Sequence, residues 1–367
     1  MIRIGNASGF YGDRPEAFRE LLEAGAVDVI TGDYLAELTM LILARDKARD
    51  PSRGYARTFV EQFSDCIDLA IRQDVKLVVN AGGLNPAGLA ARLRELRPEV
   101  PVAHVEGDDV LSRVGGDAIA ANAYLGAFGI AECLRRGAVV VVTGRVTDAS
   151  LTVGPAVAHH GWTPGDLDAI AGAMAAGHVI ECGAQATGGN YAFFRTIKDL
   201  DHPGFPVAEV HHDGSAVITK APGTGGAVTV GTVTAQLLYE IAGPRYLGPD
   251  AVLRLDSIRL TQDGPDRVRI SDVRGEPPPD TLKVGVNAIG GYRNEVTFVL
   301  TGLDIEAKAD LVRRQMPAGT QWTLARTDHE DAATTETASA LLHGTVRATD
   351  PDSAGRNFSD AAVHLAL

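Results

Sequence analysis

The stretch AVVVVTGRVTDAS, residues 138–150, sets four consecutive valines before a threonine, a glycine and an arginine. A continuous β-branched run favours a strand buried on both faces, as in a parallel sheet covered by helices. A strand with one wet face would instead alternate apolar and polar residues. The polar residues follow the run at once, so the strand is predicted to end where a ligand could meet polar side chains.

Four further apolar runs have the same form, and amphipathic stretches that predict helices separate them along the chain. The runs are MIRIGN (1–6), VDVITGD (27–33), VKLVVNAGG (75–83) and PVAHVEGDD (101–109). One long helix is predicted over 117–137. Repeated units of this kind predict an α/β fold over residues 1–204, a mostly parallel sheet flanked by helices.

The sequence pattern changes in the second half. The apolar segments there are shorter, alternate more between apolar and polar residues, and are separated by turn signals such as Asp-Gly. This pattern predicts antiparallel sheet, and it includes a strand within 226–238. The stretch 294–316 predicts a strand followed by a helix. Residues 205–367 are therefore predicted to form a second, β-rich α+β domain.

Charge and cysteine content narrow the class of protein. The 367 residues carry 47 acidic against 34 basic side chains, a net charge of −13, which argues against nucleic acid or an anionic membrane as partner. Three widely spaced cysteines without a CxxC pair fit a reducing compartment. The N-terminus lacks a basic segment followed by an apolar one, and no apolar run is long enough to cross a membrane. The expected location is the cytoplasm.

Each predicted strand of the first half ends in polar residues, usually with a glycine. The carboxyl ends of parallel strands meet at one edge of the sheet, where α/β proteins place their ligands. The substrate-binding candidates at this edge are Asn6, Ser8, Asp33, Asn80, Asn85, Arg145 and Asp148.

The candidates at this edge also have plain structural explanations. Arg145 could hold a substrate carboxylate in a bidentate manner, or it could pair with Asp148 three residues on and fix the loop. The asparagines of NAGGLNP (80–86) could contact a carbonyl or hydroxyl group, or could only shape a turn.

Carboxylates provide the candidate acids and bases. Glu106 and Asp108 follow one strand in HVEGDD, where the alternative is a solvated acidic loop. No spacing in the sequence supports a metal site, and the adjacent histidines at 159–160 and 211–212 do not form one.

The stretch ECGAQATGGNY (181–191) follows a predicted helix and combines an acid, a thiol and a glycine loop. Glu181 is an acid–base candidate. Cys182 is a candidate nucleophile only if its pKa is lowered, and the adjacent carboxylate works against that; the alternative is a buried small side chain. The loop either cradles an anion or carbonyl group, or is a tight turn. Its candidate residues are Gln185, Gly188, Gly189, Asn190 and Tyr191.

Lys220, in KAPGTGG (220–226), could bind an anion such as a phosphate of coenzyme A, or could mark a hairpin end. Neither GxGxxG nor GxxxxGK[ST] is present, so no nucleotide cofactor is indicated and the cofactor stays unknown.

Six stretches in this order resemble the acyclic terpene utilisation family, AtuA. They are GNASGFYGD, TGDYLAELTM, NAGGLNP, GRVTDASL, ECGAQATGGNY and KAPGTGG, and the similarity extends over residues 2–366. The resemblance implies a role in the breakdown of branched isoprenoid acids through acyl-CoA thioesters. It implies no catalytic residues.

We therefore expect an enzyme, of lyase or hydro-lyase type, that abstracts a proton next to a thioester carbonyl during hydration, dehydration or carbon–carbon lysis. Such a reaction needs a carboxylate base and donors for the enolate oxygen, with Asn80 and Asn190 as candidate donors. The alternatives are a thioester or amide hydrolase that uses Cys182, and a non-catalytic acyl-binding or scaffold subunit. The expected partners are a small-molecule acid or acyl-CoA and further copies of the chain, in a homo-oligomer.

Overall fold

The computed structural model describes residues 1–25 and 27–365. Its strands, in chain order, are β1 (Ile2–Asn6), β2 (Val29–Gly32), β3 (Lys76–Val79), β4 (Val102–Val105), β5 (Ala118–Ala123), β6 (Val140–Thr143), β7 (Pro206–Val210), β8 (Ala216–Lys220), β9 (Arg245–Leu247), β10 (Val252–Arg254), β11 (Arg259–Gln262), β12 (Val268–Ser271), β13 (Arg274–Glu276), β14 (Val284–Ala288), β15 (Tyr292–Thr301), β16 (Gln321–Ala325) and β17 (Ser339–Ala348).

The helices lie mostly between the strands of the first half and at the end of the chain. They are α1 (Ala17–Ala24), α2 (Glu37–Arg49), α3 (Arg57–Arg72), α4 (Pro86–Leu96), α5 (Leu111–Val114), α6 (Phe128–Arg135), α7 (Ser150–His160), α8 (Leu167–Ile180), α9 (Val230–Leu237), α10 (Ile305–Gln315), α11 (Pro351–Ala354) and α12 (Arg356–His364). Within residues 1–25 and 27–365, none of these helices combines the length and apolarity that crossing a membrane requires.

A nine-stranded sheet forms the centre of the first half, in the order β11-β12-β8-β7-β1-β2-β3-β6-β4. Strands β1, β2, β3, β6 and β4 run parallel, and β7, β8, β12 and β11 extend the sheet antiparallel. The valine run forms β6, buried along its whole length between β3 and β4. The predicted α/β class is confirmed.

Both faces of this sheet are covered. Val78 and Val141 pack in one apolar cluster with residues of α6, α7 and α8. Their strand neighbours Leu77, Val79 and Val140 pack in a second cluster with residues of α1, α3 and α4. Burying a side chain of this kind contributes about 1.5–3 kcal/mol, so a continuous valine run is stable only between two such layers.

The boundary between the two compact units differs from the predicted one. The units are Met1–Asn287 and Ala288–Leu367, rather than 1–204 and 205–367. The antiparallel pairing predicted after residue 205 is present, but β7 pairs directly with β1 and so continues the first sheet. Alternation along a strand indicates one wet face and cannot show which sheet the strand joins.

Two predicted elements are wrong. The helix expected over 117–137 begins only at Phe128, because residues 118–123 form β5, which pairs with β14. The strand expected within 226–238 is instead helix α9. The Thr229 and Thr232 side chains cap the first turn of α9 reciprocally, and this local capping outweighs the β propensity of its valines and threonines.

The second unit, Ala288–Leu367, contains an antiparallel sheet in the order β15-β17-β16. The predicted strand and helix within 294–316 are β15 and α10. Leu300, Ala309 and Leu342 pack together between this sheet and α10. The unit thus combines an antiparallel sheet with helices.

Candidate active site at the carboxyl edge of the sheet

The polar ends of the five parallel strands meet at one edge, as predicted, because β1, β2, β3, β6 and β4 are neighbours with the same direction. The last residues of α8 reach the same edge beside β1. Asn6 makes that connection: its Nδ2 lies 2.8 Å from the carbonyl oxygens of both Ile180 and Glu181. Asn6 is buried, so its amide positions the end of α8 rather than facing a ligand.

Asp33, at the end of β2, is held from behind by the end of β3. The Asn80 amide donates to Asp33 Oδ1 over 2.5 Å, and the Leu35 amide donates to the same oxygen over 3.2 Å. Burial, and then the negative charge of Asp148, raise the pKa of Asp33 well above its usual range. Asp33 is 5% exposed, so burial penalises the charged form of its carboxyl group.

Arg145, after β6, is buried between a carboxylate and an aromatic ring. Its Nη1 lies 2.9 Å from Asp148 Oδ1 and donates to the Leu35 carbonyl oxygen over 2.9 Å. Its guanidinium carbon lies 4.2 Å from the ring centroid of Tyr124. Burial works against the charge, but the carboxylates of Asp148 and Asp33 outweigh it and raise the pKa of Arg145. The cation is therefore permanent.

Glu181 and His178, one helical turn apart, form a buried pair at the end of α8. His178 Nδ1 lies 3.0 Å from Glu181 Oε1, and the two residues are 2% and 7% exposed. Glu181 Oε2 is buried without a hydrogen-bond partner among the described residues. Burial raises the pKa of Glu181 to about 7, although the charge of His178 acts in the opposite direction. A carboxyl group with this pKa can take up and release protons near neutral pH.

One cleft is lined by Asp33, Arg145, Asp148 and Glu181. Its volume is about 450 Å³, within the range of small-molecule sites. Its lining combines strand ends, the loop after α8 and two segments from the later half of the first unit. The lining residues are Gly9, Phe10, Asp13, Asp33, Leu35, Ala36, Glu37, Arg145, Asp148, Glu181, Cys182, Ala184, Gln185, Gly189, Tyr239, Glu240 and Lys283.

Among the described residues, the lining carries more acidic than basic side chains, and its cations are Arg145 and Lys283. Burial raises the pKa of Asp33 and of Glu181, so it penalises the charged form of both carboxyl groups. The cleft is suited to moving protons to and from a bound molecule.

Cys182 also lines the cleft. Burial, and then the charges of Glu181 and Asp33, raise the pKa of its thiol. The thiolate is the reactive form, so these surroundings disfavour the form that a nucleophile needs.

Several predicted residues lie outside the cleft lining. Glu106 is exposed beside His104, 3.5 Å away. Asp108 is buried and accepts from Asn122 Nδ2 and the Arg145 amide, each over 2.8 Å, so it fixes the loop after β6. Asn85 caps α4, accepting from the Gly88 amide over 3.0 Å. The remaining ones are Asn6, Ser8, Asn80, Gly188, Asn190, Tyr191 and Lys220.

Most of these have structural partners instead. Ser8 donates to the Asp33 carbonyl oxygen over 3.1 Å. Lys220 donates to the Thr224 carbonyl oxygen over 2.6 Å and lies 3.2 Å from Asp266 Oδ2. Of the loop candidates, Gln185 and Gly189 line the cleft.

Three of the lining residues that the sequence did not predict lie beyond position 205. Tyr239, Glu240 and Lys283 line the cleft, but their segments were assigned to another domain. Glu240 has a φ of 58°, in the left-handed region that is unusual for a residue with a side chain. Nothing in a single sequence marks that conformation. Glu37 also lines the cleft and accepts a hydrogen bond from Tyr124 over 2.9 Å. Its position shortly after the end of β2 is the sequence feature that could have identified it as a site residue.

In the part of the chain that the structure describes, no three His, Cys, Asp or Glu side chains are grouped so as to hold a metal ion. The described cleft contains no glycine-rich nucleotide motif. The groups it offers a ligand are carboxyls, one guanidinium, one ammonium, the Gln185 amide, the Tyr239 hydroxyl and the Cys182 thiol.

One comparison with known proteins gave a match. The family model described as "Acyclic terpene utilisation family protein AtuA" matches residues 2–367. The curated proteins and the solved structures gave no match.

Proposed function

The chain belongs to the acyclic terpene utilisation family AtuA, and on that premise we propose that it is an enzyme that abstracts a proton next to the carbonyl of a branched acyl thioester. Glu181 is the base in this proposal. The observation that carries it is the buried Glu181–His178 pair at the lining of the cleft, in which the second carboxylate oxygen of Glu181 has no hydrogen-bond partner among the described residues.

The protonation state of Glu181 fits the role of a base. Efficient general bases have a pKa near the working pH, and the pKa of Glu181 is raised to about 7. His178 fixes the position of the carboxylate through its Nδ1 contact of 3.0 Å. The Asn6 side-chain amide donates to the carbonyl oxygen of Glu181 and so fixes the backbone of Glu181.

In the proposed step, the Glu181 carboxylate takes the proton from the α-carbon. The electron pair of the broken C–H bond moves into the thioester group and forms an enolate with its charge on oxygen. A neutral carboxyl group can stabilise that oxygen by donating a hydrogen bond. Asp33 is the candidate donor because it lines the cleft together with Glu181, and burial penalises its charged form. Asn80, the donor expected from the sequence, supports Asp33 instead.

The enolate can go on in two ways. It can take a proton back at carbon, or it can expel a group from the β-carbon. Expulsion of hydroxide together with a proton releases water. Carbon–carbon lysis forms the same type of enolate by another route: a base takes the proton of a β-hydroxyl group, the bond between the α- and β-carbons breaks, the β-carbon leaves as a carbonyl group, and the enolate takes up a proton at the α-carbon. Each outcome includes a proton transfer at the α-carbon, so that transfer is the step to measure.

The experiment is incubation of the purified protein in D2O with branched acyl-CoA thioesters, followed by mass spectrometry. We expect deuterium at the α-carbon, with or without a loss of water or a cleaved chain. Glu181→Gln should lower the rate by about 10²–10⁴-fold. Glu106→Gln is the matched control, since Glu106 is an exposed carboxylate outside the cleft lining.

Three results would overturn the proposal. Release of free coenzyme A with no deuterium incorporation would favour the hydrolase alternative. Binding of the thioesters with every mass unchanged would favour a non-catalytic acyl-binding subunit. Equal rates in Glu181→Gln and the parent protein would exclude Glu181 as the base.

A further inference from the structure

We propose that a second cavity beside the cleft binds the hydrocarbon tail of the acyl group, and that the loop 277–283 sets the length of tail the protein accepts. This inference rests on the proposed function, because it assigns the two ends of one substrate to two adjoining spaces. The tail cavity, as we call it, has a volume of about 360 Å³.

The tail cavity and the cleft share part of their walls. Asp148, Glu240 and Lys283 line both spaces. A molecule with its reacting carbon at Glu181 could therefore extend past these three residues into the tail cavity. The shared residues are the charged ones, so the polar groups of a ligand would lie at the junction.

Beyond the junction the wall is largely carbon. It consists of side chains from β9 and the segment after it, and of the loop before β14: Tyr246, Leu247, Pro249, Pro279, Thr281 and Leu282. Such a surface suits a hydrocarbon and offers few groups to solvate a charge.

Tyr124 marks the transition between the two spaces. The Arg145 guanidinium carbon lies 4.2 Å from the Tyr124 ring centroid, and the Lys283 ammonium nitrogen lies 4.4 Å from it. Cations over a ring face hold that ring in place. Tyr124 is thereby fixed as a wall of the tail cavity, and the two cations stay close to the cleft.

Tyr246 connects the tail cavity with the proposed base. Its ring centroid lies 5.0 Å from that of His178, and His178 contacts Glu181. A tail packed on Tyr246 would thus be one side chain removed from the Glu181–His178 pair. This arrangement places the reacting end and the apolar end of a single acyl group within reach of each other.

The outer wall contains apolar side chains that water now reaches. Leu247 is 61% exposed and Leu282 is 47% exposed. A bound tail would cover them, which gives a favourable free energy in proportion to the apolar area removed from water. Because neither side chain supports the core, both can be replaced without disturbing the fold.

The test measures binding without turnover. Neutral N-acetylcysteamine thioesters, in a series from butanoyl to decanoyl, are titrated calorimetrically into the Glu181→Gln variant. We expect the affinity to rise by about fourfold for each added methylene, until the cavity is filled. Leu282→Trp and Leu247→Trp narrow the cavity, so they should end this rise at a shorter chain. Leu303→Trp is the control, since Leu303 is 80% exposed and belongs to the second unit.

An affinity that does not change with chain length would overturn the inference. The same dependence of affinity on chain length in the Glu181→Gln protein with and without each tryptophan substitution would also overturn it. The proposed reaction is judged separately, by deuterium exchange. A chain-length dependence that the tryptophan variants shorten would support the tail cavity even if no thioester exchanged its α-proton.

Discussion

His178 Nδ1 lies 3.0 Å from Glu181 Oε1 in a buried pair at the end of α8. Each group shifts the protonation of the other. Burial lowers the tendency of His178 to be charged, but the carboxylate outweighs it and the pKa of His178 is raised. The imidazole in turn keeps the pKa of Glu181 from rising further than about 7.

The first prediction concerns this coupling. His178→Asn removes a positive partner of Glu181, so the pKa of Glu181 should rise above about 7. The midpoint of the rate-against-pH curve for α-proton exchange should therefore move to higher pH. The rate at pH 7 should fall by about five- to tenfold, because most of the base would then carry a proton. His104→Asn, beside the exposed Glu106, should leave the midpoint unchanged. A lower rate with an unshifted midpoint would contradict the coupling.

The second prediction concerns stability against pH. The folded protein holds a proton on Glu181 up to about pH 7, whereas the unfolded chain releases it near 4.5. The stabilisation from this group is complete below 4.5 and is lost as the pH rises through 7. Glu181→Gln should thus gain stability relative to the parent protein across this window, by on the order of 3 kcal/mol. Urea denaturation at several pH values measures the difference, and a constant difference would contradict the raised pKa.

The third prediction concerns Cys182. Because burial and nearby carboxylates raise the pKa of its thiol, iodoacetamide at pH 8 should label it far more slowly than in the urea-unfolded chain. Cys182→Ala should retain α-proton exchange. Rapid labelling of Cys182 with loss of activity would instead support the hydrolase alternative.

The fourth prediction concerns Arg145. Arg145→Met leaves Asp148 and the Leu35 carbonyl oxygen without their donor. Since Asp148 is only partly buried, we expect a loss of about 2–4 kcal/mol in the free energy of unfolding. Arg136→Met is the matched control, because Arg136 pairs with Glu132 at the surface, where such pairs contribute less than about 1 kcal/mol. Equal effects of the two substitutions would contradict the assignment of Arg145 as a buried anchor.

The fold was predictable where one physical effect dominates. Continuous valine runs such as β6 need two covering layers, so the parallel sheet and its polar edge followed from sequence. The helix α9 could not be predicted in this way. Its valines and threonines favour a strand, but side-chain capping at Thr229 stabilises a helix there. The sequence also did not predict that β7 belongs to the first sheet, since its pairing with β1 joins distant parts of the chain.

The candidate site was predictable to the same degree. Asp33, Arg145, Asp148 and Glu181 were selected because they follow strands or a helix at the edge, and all four line the cleft. Asn6 and Asn80 follow strands in the same way, but Asn6 donates to a backbone carbonyl oxygen and Asn80 donates to Asp33. Position after a strand predicts that a residue is near the site. It does not predict whether the side chain faces the cleft or supports a neighbour.

The last prediction concerns Gly9, in the loop between β1 and α1. A Cβ atom there would lie 2.6 Å from the carbonyl carbon of Cys182 and 2.8 Å from its oxygen. Because that neighbour is backbone, Gly9→Ala must push the loop after Glu181 away. We expect a destabilisation of about 1–3 kcal/mol together with slower α-proton exchange, measured by urea denaturation and mass spectrometry.

Gly12→Ala is the matched control in the same loop. Its Cβ would meet only the Phe10 ring at 3.1 Å, and that ring is 58% exposed and free to move. Gly12→Ala should therefore keep both stability and exchange. If the two alanine variants behaved alike, the close approach of the β1–α1 loop to Cys182 would not be what holds Glu181 at the cleft.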